Sequence, residues 1–192
     1  MKERESGMPD EWQCDEFFDP AKAIEILGCT SQAGDVVEFG CGYGTFTLLA
    51  ARHVTGIVHA FDIDPEMAAR VTRAAVDSSL PNIAAVERDF METGTGLPDC
   101  SVVHAMVFNI LHIEEPMKIL REAYRVLAPG GKISIIHWRT DLETPRGPSL
   151  GIRPTPAQSL GMVMRAGFHH RHTVPLGNAA PWHYGLVLEK SE

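Results

Sequence analysis

No run of apolar residues in this chain is long enough to span a bilayer, and none follows the charged opening Met-Lys-Glu-Arg-Glu, where a secretory signal would need one. No Cys-x-x-Cys pair occurs either. The four cysteines, Cys14, Cys29, Cys41 and Cys100, are widely spaced, which argues against a zinc knuckle or a disulfide framework and suits a reducing compartment. Basic residues are few: 17 Lys and Arg stand against 25 Asp and Glu, a formal charge of -8 that disfavours a nucleic-acid backbone and favours a small-molecule partner. Internal repeats and low-complexity tracts are missing. The expectation is a cytoplasmic protein with neither membrane nor nucleic-acid partner, its oligomeric state left open.

What is present is an ordinary globular composition, 44% hydrophobic and 22% charged over 192 residues, enough for one domain with a sizeable core. A loose tail over 1–11 precedes a single domain over 12–192, of which 12–32 reads as a helical cover. There Asp19 caps a helix opened by Pro20, with Ile24 and Leu27 on its apolar side. The aromatic residues Trp12, Phe17 and Phe18 either form a lid or pack on the core.

The chain is organised around residues 36–45. Val36, Val37 and Phe39 read as a buried parallel strand interrupted by one acid, Glu38, and Gly40, Gly42 and Gly44 then turn the chain into a helix over 45–52. Glycines between a strand end and a helix N-terminus let the backbone approach a ligand, at the place where open α/β sheets bind nucleotides. The nicotinamide fingerprint would put a glycine where Thr45 stands, so the pattern departs from the dinucleotide form. A second strand, 56–62, ends in Asp62, about twenty residues beyond the turn, where an acid accepts bonds from two ribose hydroxyls in NAD and S-adenosylmethionine (SAM) sites alike. Asp64 and Pro65 start the next helix.

The acidic-x-Gly-x-Gly-x-Gly pattern of Glu38, Gly40, Gly42 and Gly44 resembles the first motif of the class I SAM-dependent methyltransferases. Residues 121–132, Arg-Glu-Ala-Tyr-Arg-Val-Leu-Ala-Pro-Gly-Gly-Lys, closely match that family's post-catalytic motif. The resemblance implies that Glu38 helps hold the amino-acid part of SAM and that the turn residues Gly40, Cys41, Gly42, Tyr43 and Gly44 line the cofactor. It implies too that Ile63 packs on the adenine, that Asp89 meets its amino group, and that Phe90 covers the ring face or makes a backbone contact. Read alone, Asp89 also suits the end of the strand 83–88.

The apolar strand 101–108 should be central in the sheet, and its carboxyl end brings Asn109 and His112 to the crevice. Asn109 is assigned to the cofactor. His112 is the candidate general base, its alternatives being packing at a helix start or a cofactor contact. A helix over 115–127 is broken by Pro129-Gly130-Gly131 before a strand over 132–138. Beyond it, His137, Trp138, Arg139 and Arg146 are the substrate candidates, on or after a strand end and in a polar loop where forked guanidinium donors suit a carboxylate or phosphate. A last helix follows 153–157, with Leu160, Val163 and Met164 on its apolar face and Gly167 at its end. A hairpin of 168–174 with 184–189 then completes the sheet. His169, His170 and His172 alternate sides on a strand and lack a further ligand, so no metal is expected.

The fold expected is therefore a Rossmann-like, doubly wound sheet of seven mostly parallel strands with an antiparallel last strand, in a three-layer αβα sandwich. The function implied by the resemblance is methyl transfer from SAM to a small-molecule acceptor, with S-adenosylhomocysteine (SAH) as product. A non-catalytic SAM-binding module is the alternative. A nicotinamide-dependent oxidoreductase is disfavoured by Thr45 and by the 121–132 segment, and arsenic methylation by the lack of a matching cysteine set.

Overall fold

The structure, a computed structural model, describes residues 19–30 and 33–191, with the side chains of 170–172 not among those described. The tail, and the reading of Trp12, Phe17 and Phe18 as a lid, lie outside the described residues. Seven strands, β1 (Val36–Phe39), β2 (Val58–Asp62), β3 (Ile83–Glu87), β4 (Val102–Phe108), β5 (Leu127–Trp138), β6 (Phe168–Val174) and β7 (His183–Lys190), form one sheet in the order β3-β2-β1-β4-β5-β7-β6. All neighbours pair in parallel except β7, which runs antiparallel to both β5 and β6. The order turns back at β1, with β2 on one side and β4 on the other, and a doubly wound sheet opens its ligand crevice at that switch point.

Alternation along the strands divides the core between two faces. Val37, Phe39, Ala105, Val107, Ile133 and Ile135 face α5 (Pro116–Val126) and α6 (Pro156–Arg165). Val36, Val58, Met106, Phe108 and Ile136 face α1 (Pro20–Ile26) and α2 (Thr45–Ala51). Two further helices, α3 (Pro65–Asp77) and the single turn α4 (Phe90–Thr93), complete the layers. The sequence-predicted caps form: Asp19 accepts the Lys22 amide at 3.0 Å and Asp64 that of Glu66 at 2.8 Å, each ahead of a proline at the first helical position. Thr155 and Gln158 add a reciprocal capping box at the start of α6.

Two expectations need correction. Pro129, Gly130 and Gly131 do not separate helix from strand. α5 passes directly into β5, and the extra residues loop out of the ladder, whose partners step from Val102 with Leu127 to His104 with Lys132. Gly130 supplies the positive φ of 73° that this detour requires. Met164, assigned to the apolar face of α6, is 50% exposed, while Val163 is fully buried. Among the described residues no helix is long and apolar enough to cross a membrane.

The 121–132 segment acts as a brace. Glu122 accepts the amide and hydroxyl of Thr95, both at 2.6 Å, and pairs with Arg125, which also reaches Asp99. Burial would raise the Glu122 carboxyl, but Arg125 and Thr95 outweigh it and hold it at about 2. The brace fixes the loop that leads into β4, whose far end carries site residues.

Candidate active site

Register aligns the strand ends. Phe39 pairs with Phe61 and Val107, Asp62 with Glu87, and Phe108 with Ile136, so Gly40, Asp62, Asn109 and His137 all stand at the carboxyl edge. The turn after β1 has positive φ at Gly40 (77°), Gly42 (50°) and Gly44 (82°), and a Cβ on Gly44 would come within 2.9 Å of Val71. A Cβ on Gly40 would crowd Ile110 at 3.2 Å, so this glycine lets residues 109–112 close against the turn.

Asp62 is buried and its two oxygens are already engaged, Oδ2 by the Gly42 amide at 2.8 Å and Oδ1 by the Asp64 amide at 3.0 Å. Burial raises its pKa against the pull of these amides. A carboxylate has about four lone-pair sites, so it can still accept two hydroxyls in a fixed orientation. Glu38 is 1% exposed and accepts the Thr47 hydroxyl. Burial is the main reason its pKa is pushed up to about 8, with the nearby Asp62 adding to the shift and Thr47 opposing it.

The remaining cofactor candidates divide. Cys41 is buried in the turn, its thiol raised by burial, and Tyr43 has the Arg70 guanidinium 4.8 Å from its ring centroid. Ile63 is half-buried directly after Asp62. Asp89 caps α4, accepting the amides of Met91 at 3.1 Å and Glu92 at 3.2 Å. The Phe90 ring is committed to the core, edge-on to Phe39 at 5.3 Å, which leaves its backbone as the group able to meet a ligand. Asn109 adopts a φ of 55°, uncommon outside glycine, and its buried Oδ1 has no hydrogen-bond partner. Strain and an orphaned acceptor at a strand end keep Asn109 among the candidate ligand contacts.

At the acceptor end, His112 and His137 lie edge to face at 5.5 Å, and the buried His112 Nδ1 and His137 Nε2 also lack partners. Burial and the charge of Arg153 lower His112. Burial, His112 and Arg153 bring His137 down to about 3. Trp138 tilts against its cross-strand partner His183 at 4.1 Å and has the Arg153 guanidinium 5.5 Å from its ring centroid. The Arg139 guanidinium turns away, paired with Asp141 at 2.6 Å, while Arg146 lies half-buried in the loop and lends its carbonyl to Arg153 at 3.2 Å. Thus His137, Trp138 and Arg146 gather around Arg153, and of Arg139 only the backbone does.

Sequence reasoning does not single out Arg153, His183 and Tyr184, which the structure places beside these candidates. Arg153 is buried and donates to the carbonyls of Pro148 (2.7 Å), Arg139 (2.9 Å) and Arg146 and to the Thr144 hydroxyl (2.7 Å), pinning residues 139–148. Tyr184, beside His137 on the sheet, holds the next carbonyl, that of Pro154, at 2.9 Å. Among the described residues no group of three His, Cys, Asp or Glu side chains is placed to hold a metal ion.

A family model described as "Methyltransferase domain" matches residues 36–131. The demethylmenaquinone methyltransferase of Listeria monocytogenes serotype 4a is 27% identical over 105 residues, 53% of this chain and 44% of that protein. The ribosomal protein L11 methyltransferase of Burkholderia thailandensis is 32% identical over 117 residues, 58% of this chain and 35% of that protein. The chain thus spans less than half the length of these curated relatives. A solved SAM-dependent methyltransferase from Aquifex aeolicus superposes with a TM-score of 0.81 at 23% identity, covering 94% of each chain, a likeness of fold.

Proposed function

This chain belongs to the methyltransferase domain family, and we propose on that premise that it binds SAM and methylates a small-molecule acceptor. The observation that supports the reading most is the alignment of Asp62, pre-oriented by the Gly42 and Asp64 amides, with the partnerless Asn109 Oδ1 and His112 Nδ1 along one sheet edge. When bound, SAM supplies an electrophilic methyl carbon on its sulfonium. Asp62 accepts the ribose hydroxyls, Glu38 pairs with the amino-acid end, Ile63 packs on the adenine, and the Asp89–Phe90 backbone edges it. Asn109 completes the floor. His112, neutral at working pH because burial and Arg153 hold its pKa down, takes the proton that an acceptor hydroxyl gives up. The loop pinned by Arg153 excludes water from the acceptor and aligns it.

A small acceptor fits the charge of -8 and the name of the Listeria relative better than a protein or nucleic acid does. Parallel calorimetric titrations with SAM, SAH and NAD test the reading. Micromolar binding of both adenosyl ligands is expected, and binding of NAD alone would overturn it. With an acceptor found by screening for SAH release, His112→Ala should lower turnover by about 10²-fold or more while SAH affinity stays within about twofold. Loss of SAH affinity instead would make His112 a cofactor contact.

A further inference from the structure

Arg153 carries a charge that no carboxylate among the described residues neutralises. Its side chain is 8% exposed, and its four hydrogen bonds all end on neutral oxygens, the carbonyls of Pro148, Arg139 and Arg146 and the Thr144 hydroxyl. A guanidinium has five N–H donors, so one remains after these four. No carboxylate among the described residues pairs with it, and Asp141 in the same loop is taken by a bidentate pair with Arg139 at 2.9 and 2.6 Å. A buried cation normally sits beside an anion, because desolvation without one is costly.

The groups around it are held uncharged. Arg153 lies over Trp138 at 5.5 Å, and its field adds to burial in lowering His112, His137 and His183. His137 is fully buried, and its only bond among the described residues, from Nδ1 to the Trp138 carbonyl, is long at 3.5 Å, so the ring can place a proton on Nε2 instead. A neutral imidazole in that tautomer donates to an anion without adding charge.

Building on the methyltransferase reading, we propose that Arg153 makes this edge of the sheet a subsite for anionic oxygen, so that the acceptor is a small molecule bearing a carboxylate in addition to the hydroxyl that His112 deprotonates. The anion supplies the counter-charge Arg153 lacks, and His137 orients it. Arg153 is then a specificity residue as well as the pin of the 139–148 loop.

Benzoate and benzamide, similar in shape and different in charge, are suitable probes, titrated by NMR at fixed ionic strength with and without saturating SAH. Wild type should bind benzoate about tenfold more tightly than benzamide. Arg153→Gln should bring the ratio near one with SAH affinity unchanged. Arg153→Lys should keep most of the preference, and Thr144→Val, which loosens the pin but leaves the charge, should keep all of it. Equal affinities or no benzoate binding in wild type, a preference surviving Arg153→Gln, or one lost equally in Thr144→Val would each overturn the proposal. Should Arg153→Gln fail to fold, the Lys and Val variants still decide. Absence of SAH binding would defeat the methyltransferase reading separately, since the benzoate ratio is also read without SAH.

Discussion

Asp62 links the two halves of the cofactor cleft, because the same carboxylate that would take the ribose also ties the glycine turn to the start of α3. Asp62→Ala removes the acceptor of the Gly42 and Asp64 amides together with the ribose contacts, and SAH affinity should fall by about 2–4 kcal/mol in calorimetry. A change within twofold would mean that the cofactor lies elsewhere. Glu38 gives a second residue-scale prediction. With its pKa at about 8, it is mostly protonated near pH 7 and cannot fully pair with the ammonium of SAH. Binding should therefore strengthen as pH rises toward 8, by at most about tenfold per unit, and level off above it. The slope should vanish in Glu38→Gln. Thr47 and Asp62 are the groups facing Glu38, so Thr47→Val should raise its pKa further and move the rise to higher pH.

Among the elements, the loop after β5 depends on one glycine that sequence reading passed over. Gly147 has a φ of 101°, and a Cβ there would stand 2.7 Å from the Trp138 ring, whereas one on Gly151 meets nothing within 4 Å. Gly147→Ala should destabilise the protein by about 1–3 kcal/mol in thermal unfolding and speed proteolysis within 139–148, while Gly151→Ala should do neither. The contrast shows what sequence makes legible. Caps such as Asp19, Asp64 and Thr155 bond within three residues, so local chemistry declares them. The glycine turn and the acid-ended β2 are equally local, and they gave the doubly wound sheet and its cofactor edge. The pairing of Trp138 with His183, the grip of Arg153 on carbonyls 5 and 14 residues away, and the left-handed Asn109 arise only when distant segments meet. The acceptor end is assembled from such meetings, and for that reason its arginines are hard to rank from sequence: Arg139 stands in a polar loop yet pairs with Asp141, and Arg153 reads as a helix flank yet grips that loop.

For the whole molecule, burial of titratable groups sets the pH range of folding. His104, His137 and His183 each fall to about 3 from an ordinary 6.5, chiefly through burial. Between those values the unfolded chain binds protons that the folded one refuses, so stability is complete above 6.5 and declines on acidification, at up to about 1.4 kcal/mol per pH unit for each histidine. Glu122, held at about 2 by Arg125 and Thr95 against the opposing effect of burial, adds to the loss below its ordinary 4.5. Glu38 acts in the opposite sense: folded at about 8 against an ordinary 4.5, it retains a proton that the unfolded chain releases, so stability drains as pH rises through that window. Asp62, also raised by burial, reinforces the trend. From 4.5 to 6.5 the three histidines outweigh Glu38, and from 6.5 to about 8 Glu38 sets the slope, with the buried Cys29 and Cys41 thiols extending it toward pH 9. Stability without ligand should therefore peak near pH 6.5 and fall on both sides, with unfolding by roughly pH 4, since a domain holds only about 5–15 kcal/mol. Melting temperature measured across pH 4 to 9 tests this. Glu38→Gln should flatten the alkaline limb and steepen the acid limb between pH 4.5 and 6.5, where Glu38 otherwise offsets part of the histidine loss. Saturating SAH should flatten the alkaline limb of wild type as well, because its ammonium gives the ionised Glu38 a partner, and a limb unmoved by SAH would separate Glu38 from the cofactor.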